Sequence, residues 1–244
     1  GNPNIHWEKA RKNDLGIEIG FLENIVSISY DYFTEKRSNI LLDGSLRSMP
    51  SYFGVAPPSV NIGIVKSMGH ELQIQFNKRT NYGLHYWINS FLTHTQNEVK
   101  AKDDPALYPG YQKEIGYPVG QMKAYRRAGF LNSWDDIYAR IPYEIADQLK
   151  LPGSYNIIDF NGDGIIKSDD VIPWGYPIVP QNTLSLTLGA DYNKIAVSVQ
   201  FYGVSNVTRS VGLSAFYKNT DLLYKERSNY WSKDNLDAHN DLPR

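Results

Sequence analysis

The sequence feature that most constrains the fold is a regular alternation of apolar and polar residues, which occurs in three pairs of segments. The three pairs are 15–21 with 26–32, 72–76 with 82–88, and 184–192 with 195–201. Successive side chains of a β-strand point to opposite faces, so a period of two predicts strands with one apolar and one polar face. The short spacing within each pair predicts three antiparallel β-hairpins.

The connections between these strands alternate between short and long. Short turns are predicted at 22–24, 78–81 and 192–194, whereas long connections are predicted at 38–68 and 99–181. Strands of about ten residues span about 33 Å at about 3.3 Å per residue, which is enough to cross a bilayer. Short turns at one end and long loops at the other are typical of outer-membrane barrels.

The predicted fold class is therefore mostly β: antiparallel up-and-down β-hairpins from an outer-membrane β-barrel, forming a partial barrel of about six strands with long loops and short helices. A soluble antiparallel sheet, with one face on a core and the other in water, has the same periodicity and remains the alternative. In the barrel, aromatic residues near the strand ends would form an interfacial girdle. These residues are Tyr30, Tyr32, Tyr82, Tyr192 and Phe201.

Composition excludes several classes of function. The chain has 244 residues, no cysteine and a formal net charge of −1, so disulfides and thiol catalysis are excluded. It has no basic run or stripe, and we expect no nucleic-acid partner. No run of about 18 apolar residues is present, which argues against a transmembrane helix.

No residue arrangement typical of catalysis is evident. The histidines lack a metal-binding spacing, and the chain has neither a nucleophile elbow nor a phosphate-binding glycine loop. Acidic pairs at 103–104, 135–136 and 169–170 are of the adjacent kind that is usually solvated or capping. We therefore expect a protein that is not an enzyme, and a hydrolase that uses loop carboxylates is the weakest alternative.

The long connection at 99–181 is predicted to contain two short helices. Ser133 and Asp136 form a capping-box pattern at the start of one helix. Pro142 is predicted to be the first residue of the other, which would end before Pro152. Connections of this length are usually functional.

A calcium-type loop at 159–170 closes this connection. Oxygen-bearing side chains stand at loop positions 1, 3, 5 and 12, with Gly164 at position 6, as in an EF-hand loop. The extended flanks predict the loop without the helix pair of an EF-hand, and the alternative is a solvated turn that holds no ion. The predicted ligands of a structural Ca²⁺ are Asp159, Asn161, Asp163, the backbone carbonyl of Ile165, and Asp170.

Several blocks of sequence carry a family resemblance when they are taken in order. They are Trp7-Glu8-Lys9-Ala10, Asn13-Asp14-Leu15-Gly16, Gly20-Phe21-Leu22-Glu23-Asn24, Tyr30-Asp31-Tyr32-Phe33, Asn61-Ile62-Gly63-Ile64-Val65, Gly69-His70-Glu71-Leu72, Gly116-Tyr117-Pro118-Val119-Gly120, Pro152-Gly153, the loop at 159–170, Pro180 and the hairpin at 183–203. Together they resemble the C-terminal part of SusC/RagA-type TonB-dependent outer-membrane transporters, over about residues 5–204. Ser67 stands where that family usually has Asn, and Ser154 replaces a frequent Asp.

The resemblance implies a wall segment from a barrel of about 22 strands with a plugged lumen. The barrel segment is expected at 1–204 and includes an extracellular-type loop at 99–181 with the EF-hand-like loop at 159–170. The polar tail at 205–244 is expected to stop before the final strands. The chain would then be a fragment of a glycan or oligopeptide importer in the outer membrane of a Gram-negative, Bacteroidetes-like cell.

The resemblance also implies partners and ligands. The partners would be a SusD-like surface lipoprotein, TonB, the nutrient and outer-membrane lipid. The alternative function is a soluble, secreted, calcium-stabilised β module that binds carbohydrate or a protein partner, and it requires both faces of the sheet to be covered. Aromatic side chains able to stack on a nutrient are Trp87, Trp134, Trp174, Tyr108, Tyr111 and Tyr125.

Overall fold

The computed structural model describes residues 2–49, 52, 54–55, 57–210 and 231–236. The chain divides into two compact units. The sheet unit consists of Gly1–Met122 and Gly175–Thr208, and the loop unit consists of Lys123–Trp174 and Arg209–Arg244. Most of the polar tail predicted at 205–244, including its end, lies outside the described residues.

Ten β-strands lie in the described residues. In chain order they are β1 Lys9–Phe21, β2 Val26–Leu42, β3 Val60–Arg79, β4 His85–Ala101, β5 Gln121–Tyr125, β6 Arg127–Phe130, β7 Tyr155–Ile157, β8 Val171–Pro177, β9 Asn182–Tyr192 and β10 Ile195–Ser205. Six of them form one antiparallel sheet in the order β1-β2-β3-β4-β9-β10. Two further sheets have two strands each, β5 with β8 and β6 with β7. The predicted fold class of antiparallel hairpins in a six-stranded, unclosed sheet is confirmed.

The strands of the main sheet extend beyond the alternating segments. The connection between β2 and β3 is only 43–59, so the predicted connection at 38–68 was wrong. Within that predicted connection, Lys66 is a strand residue that pairs in register with Lys36. Backbone hydrogen bonds, which every residue except proline provides, hold strands together even where the apolar alternation has ended. Hydropathy alone therefore underestimates their length.

The first and third hairpin turns are short, as predicted. Leu22, Glu23 and Asn24 have φ values of 52°, 57° and 66°, which places three successive residues in the left-handed region. The third turn contains Asn193 at φ 55°, between the paired residues Tyr192 and Ile195. Asparagine is enriched in this region of φ/ψ space, which explains its place in both turns.

The second turn lies at 80–84 and not at 78–81. The Gly83 N–H donates to the Thr80 carbonyl at 3.0 Å, and the Thr80 N–H donates to the Leu84 carbonyl at 2.7 Å. Gly83 has φ +86°, which glycine adopts at low cost. Tyr82 therefore lies in the turn, where it is 76% exposed, and its predicted strand position was wrong because the alternation continues by chance into the turn.

The register aligns the apolar residues of all six strands on one side of the sheet, which we call the apolar face. Its side chains remain exposed, for example Ile17 at 56% and Val199 at 50%. Among the described residues, none of the buried hydrophobic side chains belongs to it. Its three central rows, read from β1 to β10, are Phe21-Val26-Phe76-Ile88-Leu188-Val199, Ile19-Ile28-Ile74-Ser90-Leu186-Phe201 and Ile17-Tyr30-Leu72-Leu92-Leu184-Gly203.

The loop unit contains the predicted capped helix, α1, at Trp134–Ala139. The Ser133 hydroxyl accepts from the Asp136 N–H at 3.1 Å, and the Asp136 carboxylate accepts from the Ser133 N–H at 3.0 Å. This reciprocal pair is a capping box. Ile137 of α1 is buried, as are Leu131 and Trp231. No helix among the described residues is long and apolar enough to span a membrane.

The second predicted helix, starting at Pro142, was wrong. The segment contains only a 3-10 turn at Asp147–Leu149. The Pro142 carbonyl instead accepts from the Ile166 N–H at 2.8 Å, and the Tyr143 N–H donates to the Asp147 carboxylate at 2.7 Å. The Pro142 carbonyl, which would accept the first hydrogen bonds of a helix beginning there, is thus already used, and the proline signal at a helix start does not reveal this.

Candidate functional site

The apolar face is bordered, on the side of the long connections, by a row of polar and aromatic side chains. Tyr32, His70, His94 and Asn182 occupy neighbouring register positions. The Tyr30 hydroxyl lies 2.6 Å from His70 Nδ1, and the Tyr32 ring centroid lies 5.0 Å from that of His70. Rings with a polar tip favour the boundary between hydrocarbon and water. We call Tyr32, His70, His94 and Asn182 the border row.

Two other predicted girdle residues lie at different heights on this face. Tyr192 adjoins the third turn and is 49% exposed. Phe201 pairs with Leu186 and lies in a central row, so its predicted border position was wrong. The alternation ends at Phe201, whereas β10 continues to Ser205. The end of the apolar alternation therefore predicted the end of β10 too early in the chain.

The opposite, polar face carries a side-chain cluster at the hairpin-turn end of the sheet. His85 lies between two acceptors, with Nδ1 at 2.5 Å from Asp191 Oδ2 and Nε2 at 2.9 Å from Asn77 Oδ1. Its ring stacks on Trp87 at a centroid distance of 5.0 Å. A Cβ at Gly189 would lie 2.1 Å from the indole, so the indole covers this glycine. The cluster joins β3, β4 and β9.

Sequence reasoning selected Trp87 as a nutrient contact but missed its neighbours. His85 and Asp191 are 106 positions apart in the chain. Only the pairing of β4 with β9, which places these two residues directly opposite each other, brings them together. No local signal in the sequence gives this register, because the long connection between the two strands removes any turn-imposed spacing.

The calcium-type loop is held by hydrogen bonds between its side chains and its own backbone. Asp159 accepts from the Gly162 N–H at 2.7 Å with Oδ1 and from the Gly164 N–H at 2.9 Å with Oδ2. Asn161 Oδ1 accepts from the Asp163 N–H at 3.0 Å. Asp163 Oδ1 accepts from the Ile165 N–H at 3.1 Å, and Asp163 Oδ2 accepts from the Asn161 amide at 3.0 Å. The oxygens of Asp159 and Asn161 and Asp163 Oδ1 each accept one hydrogen bond and keep a further lone pair that a cation can use, whereas Asp163 Oδ2 already accepts from Asn161 and Lys167.

Asp170, the predicted ligand at position 12, anchors the loop. Its side chain is 0% exposed. Oδ1 accepts from the Phe160 N–H at 2.7 Å, and Oδ2 accepts from the Lys167 N–H at 2.9 Å. Both carboxylate oxygens therefore already stabilise the backbone.

Lys167 brings a positive charge to the position where an ion is expected. Its ammonium lies 2.8 Å from Asp163 Oδ2 and 3.6 Å from Asp169 Oδ2. The hydrogen bond from Lys167 lowers the pKa of Asp163, and the same bond raises the pKa of Lys167. In the described part of the chain, no group of three or more His, Cys, Asp or Glu side chains is arranged to hold a metal. The donor set fits Ca²⁺ only if Lys167 leaves Asp163.

Three of the predicted nutrient contacts lie in the loop unit. Trp134 is 51% exposed and stacks on Tyr138 at 6.3 Å. Trp174 is 53% exposed, and the Arg126 guanidinium lies 5.5 Å from its ring centroid. Tyr125, at the end of β5, is exposed. All three present aromatic surface.

The other three predicted contacts lie in the sheet unit. Tyr108 is exposed, and Tyr111 is half-buried in the 3-10 helix Gly110–Gln112. Trp87 belongs to the polar-face cluster. The six aromatic residues are thus divided evenly between the two units.

The chain is similar to known proteins along almost its whole length. A family model described as "TonB dependent receptor-like, beta-barrel" matches residues 1–241. TonB-dependent receptors P3 and P26 of Formosa agariphila are 26% and 25% identical over 264 aligned residues, which cover 100% of this chain. The chain spans only 25% of the length of each receptor.

Solved structures of the RagAB peptide importer have the same fold. The open-open state aligns with a TM-score of 0.69 and 18% identity, and the closed-closed state with a TM-score of 0.69 and 20% identity. Each alignment covers 100% of this chain and 26% of the importer chain. All of these relatives are receptors or importers, in agreement with the expectation that the protein is not an enzyme.

Proposed function

Because the chain belongs to the TonB dependent receptor-like β-barrel family, we propose that it forms part of the wall and a large surface loop of an outer-membrane importer. The observation that carries this proposal is the apolar face, whose side chains are exposed on all six strands. In a barrel wall these side chains contact lipid, while the polar face lines the lumen. A soluble module would have to cover the apolar face, because an exposed patch of this extent causes association.

The proposed cargo is an oligopeptide or a glycan, taken up with TonB and a SusD-like surface lipoprotein. RagAB is a peptide importer, so oligopeptides are the first substrates to test. The Formosa relatives support a Bacteroidetes-like outer membrane as the location. Exposed Trp134, Trp174 and Tyr108 are the best placed of the predicted nutrient contacts, because aromatic rings stack on apolar side chains and on sugar faces.

The chain contains no cysteine, so its orientation can be tested with single cysteines in a cysteine-free version of the full-length importer. Leu107→Cys lies in the long connection, where Leu107 is 97% exposed. It should react with a membrane-impermeant maleimide on intact cells. Lys194→Cys, in the third turn, should react only after the outer membrane is broken.

The control for reagent access is Phe201→Cys on the apolar face, which should react poorly in both conditions because lipid covers it. The proposal fails if Lys194→Cys reacts on intact cells as well as Leu107→Cys does. It also fails if the full-length protein is absent from the outer-membrane fraction.

A structural Ca²⁺ in the loop at 159–170 is a further part of the proposal. Its support is the spacing of Asp159, Asn161 and Asp163, whose side chains all bond within one tight loop, with the Ile165 carbonyl as an additional oxygen. An ion there would crosslink the loop just before β8. Lys167 competes with it for Asp163.

A further inference from the structure

We propose that a basic groove on the apolar-face side of the sheet binds the phosphate group of an outer-leaflet lipid. This inference rests on the proposed function, because it requires the apolar face to lie in the membrane. The groove lies beyond the border row, on the side of the long connections, and has a volume of about 600 Å³. Its cationic side chains are Arg11, Lys36, Lys66 and Lys100.

Three of these cations are direct neighbours. Arg11 pairs with Lys36, and Lys36 pairs with Lys66, on three adjacent strands. Side chains at directly opposed positions of an antiparallel sheet lie about 5 Å apart, and like charges in such positions are destabilising. A row of three cations therefore raises the free energy of the folded state unless an anion neutralises it.

No anion from the described part of the chain does so. The side chains of Arg11, Lys36 and Lys66 make no hydrogen bond or salt bridge with any described residue. Two acidic residues line the groove. Glu98 directly opposes Lys66, but its carboxylate lies 2.5 Å from the Lys100 ammonium and is paired with it. Glu35 is paired with Lys12 and Arg37. The groove thus carries an excess of positive charge.

The polar face of the same strands is different. There Glu35 lies 3.5 Å from Lys12 and 3.0 Å from Arg37, and Arg37 also lies 3.1 Å from Glu8. These four charges on the polar face are therefore paired within the chain. The contrast between the two faces shows that the unpaired row is not a general property of these strands.

The groove has a wall formed by the segment that contains Gly116 and Pro118. The Gly116 N–H donates to the Val99 carbonyl at 2.9 Å, and the Val119 N–H donates to Asn97 Oδ1 at 2.7 Å. These bonds fix the segment against β4, at residues that lie beyond those pairing with β9. The groove is consequently built into the sheet unit.

With the apolar face in the membrane, the row of Arg11, Lys36 and Lys66 lies at the depth expected of the lipid headgroups. Lys66 lies four residues beyond His70 of the border row along β3. At about 3.3 Å per residue and a tilt of about 40°, this separation is about 10 Å of height. The headgroup layer is about 5–8 Å thick on each side of the hydrocarbon core, and long lysine side chains reach back into it.

The cationic side chains of the groove, together with the nearby apolar face, favour a lipid phosphate over a free phosphate ion. Arg11 offers a planar fork of donors and the lysines offer point charges, which are the groups that bind phosphate oxygens in proteins. The apolar face begins on the other side of the border row, so acyl chains can lie against it while the phosphate enters the groove. A free phosphate ion would use only the charged part of this surface.

The test uses the purified full-length importer and native mass spectrometry with bisphosphorylated lipid A as the probe. The double variant Lys36→Gln/Lys66→Gln should weaken lipid A binding about 30-fold, because each cation near an anionic lipid surface contributes roughly fivefold. The matched control, Lys12→Gln/Arg37→Gln, removes the same charge from the polar face and should leave the affinity within about twofold.

Two further probes identify the source of the phosphate. Lipid A stripped of its phosphates should bind about as weakly to the wild type as intact lipid A binds to the double variant, and inorganic phosphate should not displace intact lipid A. The inference is overturned if the two double variants lose affinity equally, or if the stripped lipid binds as tightly as the intact one. If either outcome is found in a protein that is correctly inserted, the lipid-binding inference fails but the proposed function is not affected. If the protein is absent from the outer membrane, both the inference and the proposed function fail.

Discussion

At the scale of single residues, the contact between Gly189 and Trp87 gives the most direct test of the structure. The Trp87 indole covers it, and a Cβ at this position would lie 2.1 Å from the ring. We expect Gly189→Val to destabilise the full-length protein by about 1–3 kcal/mol, since overpacking displaces a fixed ring. The midpoint of thermal unfolding, read from heat-modifiable electrophoretic migration, would measure this.

Gly203→Val is the control, because a Cβ there has no atom within 4 Å. Adding Trp87→Ala to Gly189→Val should restore part of the lost stability. If Gly189→Val and Gly203→Val melt alike, Trp87 does not occupy the space above Gly189.

Lys167 competes with the proposed Ca²⁺ for Asp163. Its ammonium holds Asp163 at 2.8 Å, so an ion must displace it. We expect millimolar Ca²⁺ to raise the thermal midpoint of Lys167→Gln more than that of the wild type, because stabilisation grows as affinity rises. Calorimetry with and without a chelator would compare the two proteins. Asp159→Asn should abolish the gain in both, and a gain that survives Asp159→Asn would locate the ion elsewhere.

The same ion pair predicts a dependence on acid. The pKa of Asp163 is lowered by Lys167, so the pair contributes stability above the unfolded-state pKa of Asp, which is about 3.9. This contribution is lost as the pH falls through the lower folded-state pKa. In calcium-free buffer, Lys167→Gln should therefore be less stable than the wild type at pH 6, and the two should converge at strongly acidic pH. A constant difference across this range would show that Lys167 acts by packing instead of charge.

Among the secondary-structure elements, α1 depends most clearly on a local signal. Ser133 and Asp136 cap each other's backbone, and α1 is only six residues long, so its own hydrogen bonds are few. We expect Ser133→Ala to cost about 1 kcal/mol of local stability. Hydrogen exchange of the α1 amides in the full-length protein would detect this as faster exchange. Ser133→Thr keeps the cap and should exchange like the wild type, and equal protection in all three proteins would contradict the role of the cap.

At the scale of secondary-structure elements, the features predicted correctly were those that depend on only a few neighbouring residues. The capping box of α1 and the turn at Asn193 depend on contacts between residues three or fewer positions apart, and both were predicted. The predictions of a helix at Pro142 and of the end of the second turn were wrong. Their backbone partners, Ile166 and Leu84, decide the outcome, and neither is part of the local pattern.

For the whole molecule, the proposed membrane insertion depends on the apolar face. Leu186 lies in a central row of that face, and Thr187 lies beside it on the polar face. We expect Leu186→Arg to destabilise the inserted full-length protein by about 2–4 kcal/mol, because the charge meets hydrocarbon at mid-depth. The fraction of heat-modifiable protein in the outer membrane measures this. Thr187→Arg should be tolerated, and a soluble sheet whose core lies on the Thr187 side would reverse the order of the two variants.

The sequence by itself determined the existence of the six strands of the main sheet, the face on which their alternating side chains lie and the position of two turns, because these follow from a period of two and from local conformational preferences. The tertiary structure decided which strands are neighbours. It joined β4 to β9 across the long connection, placed Asp191 beside His85, and aligned Arg11, Lys36 and Lys66 in one row. Strand pairing uses backbone hydrogen bonds that nearly every residue offers equally, so the sequence of a strand does not identify its partner.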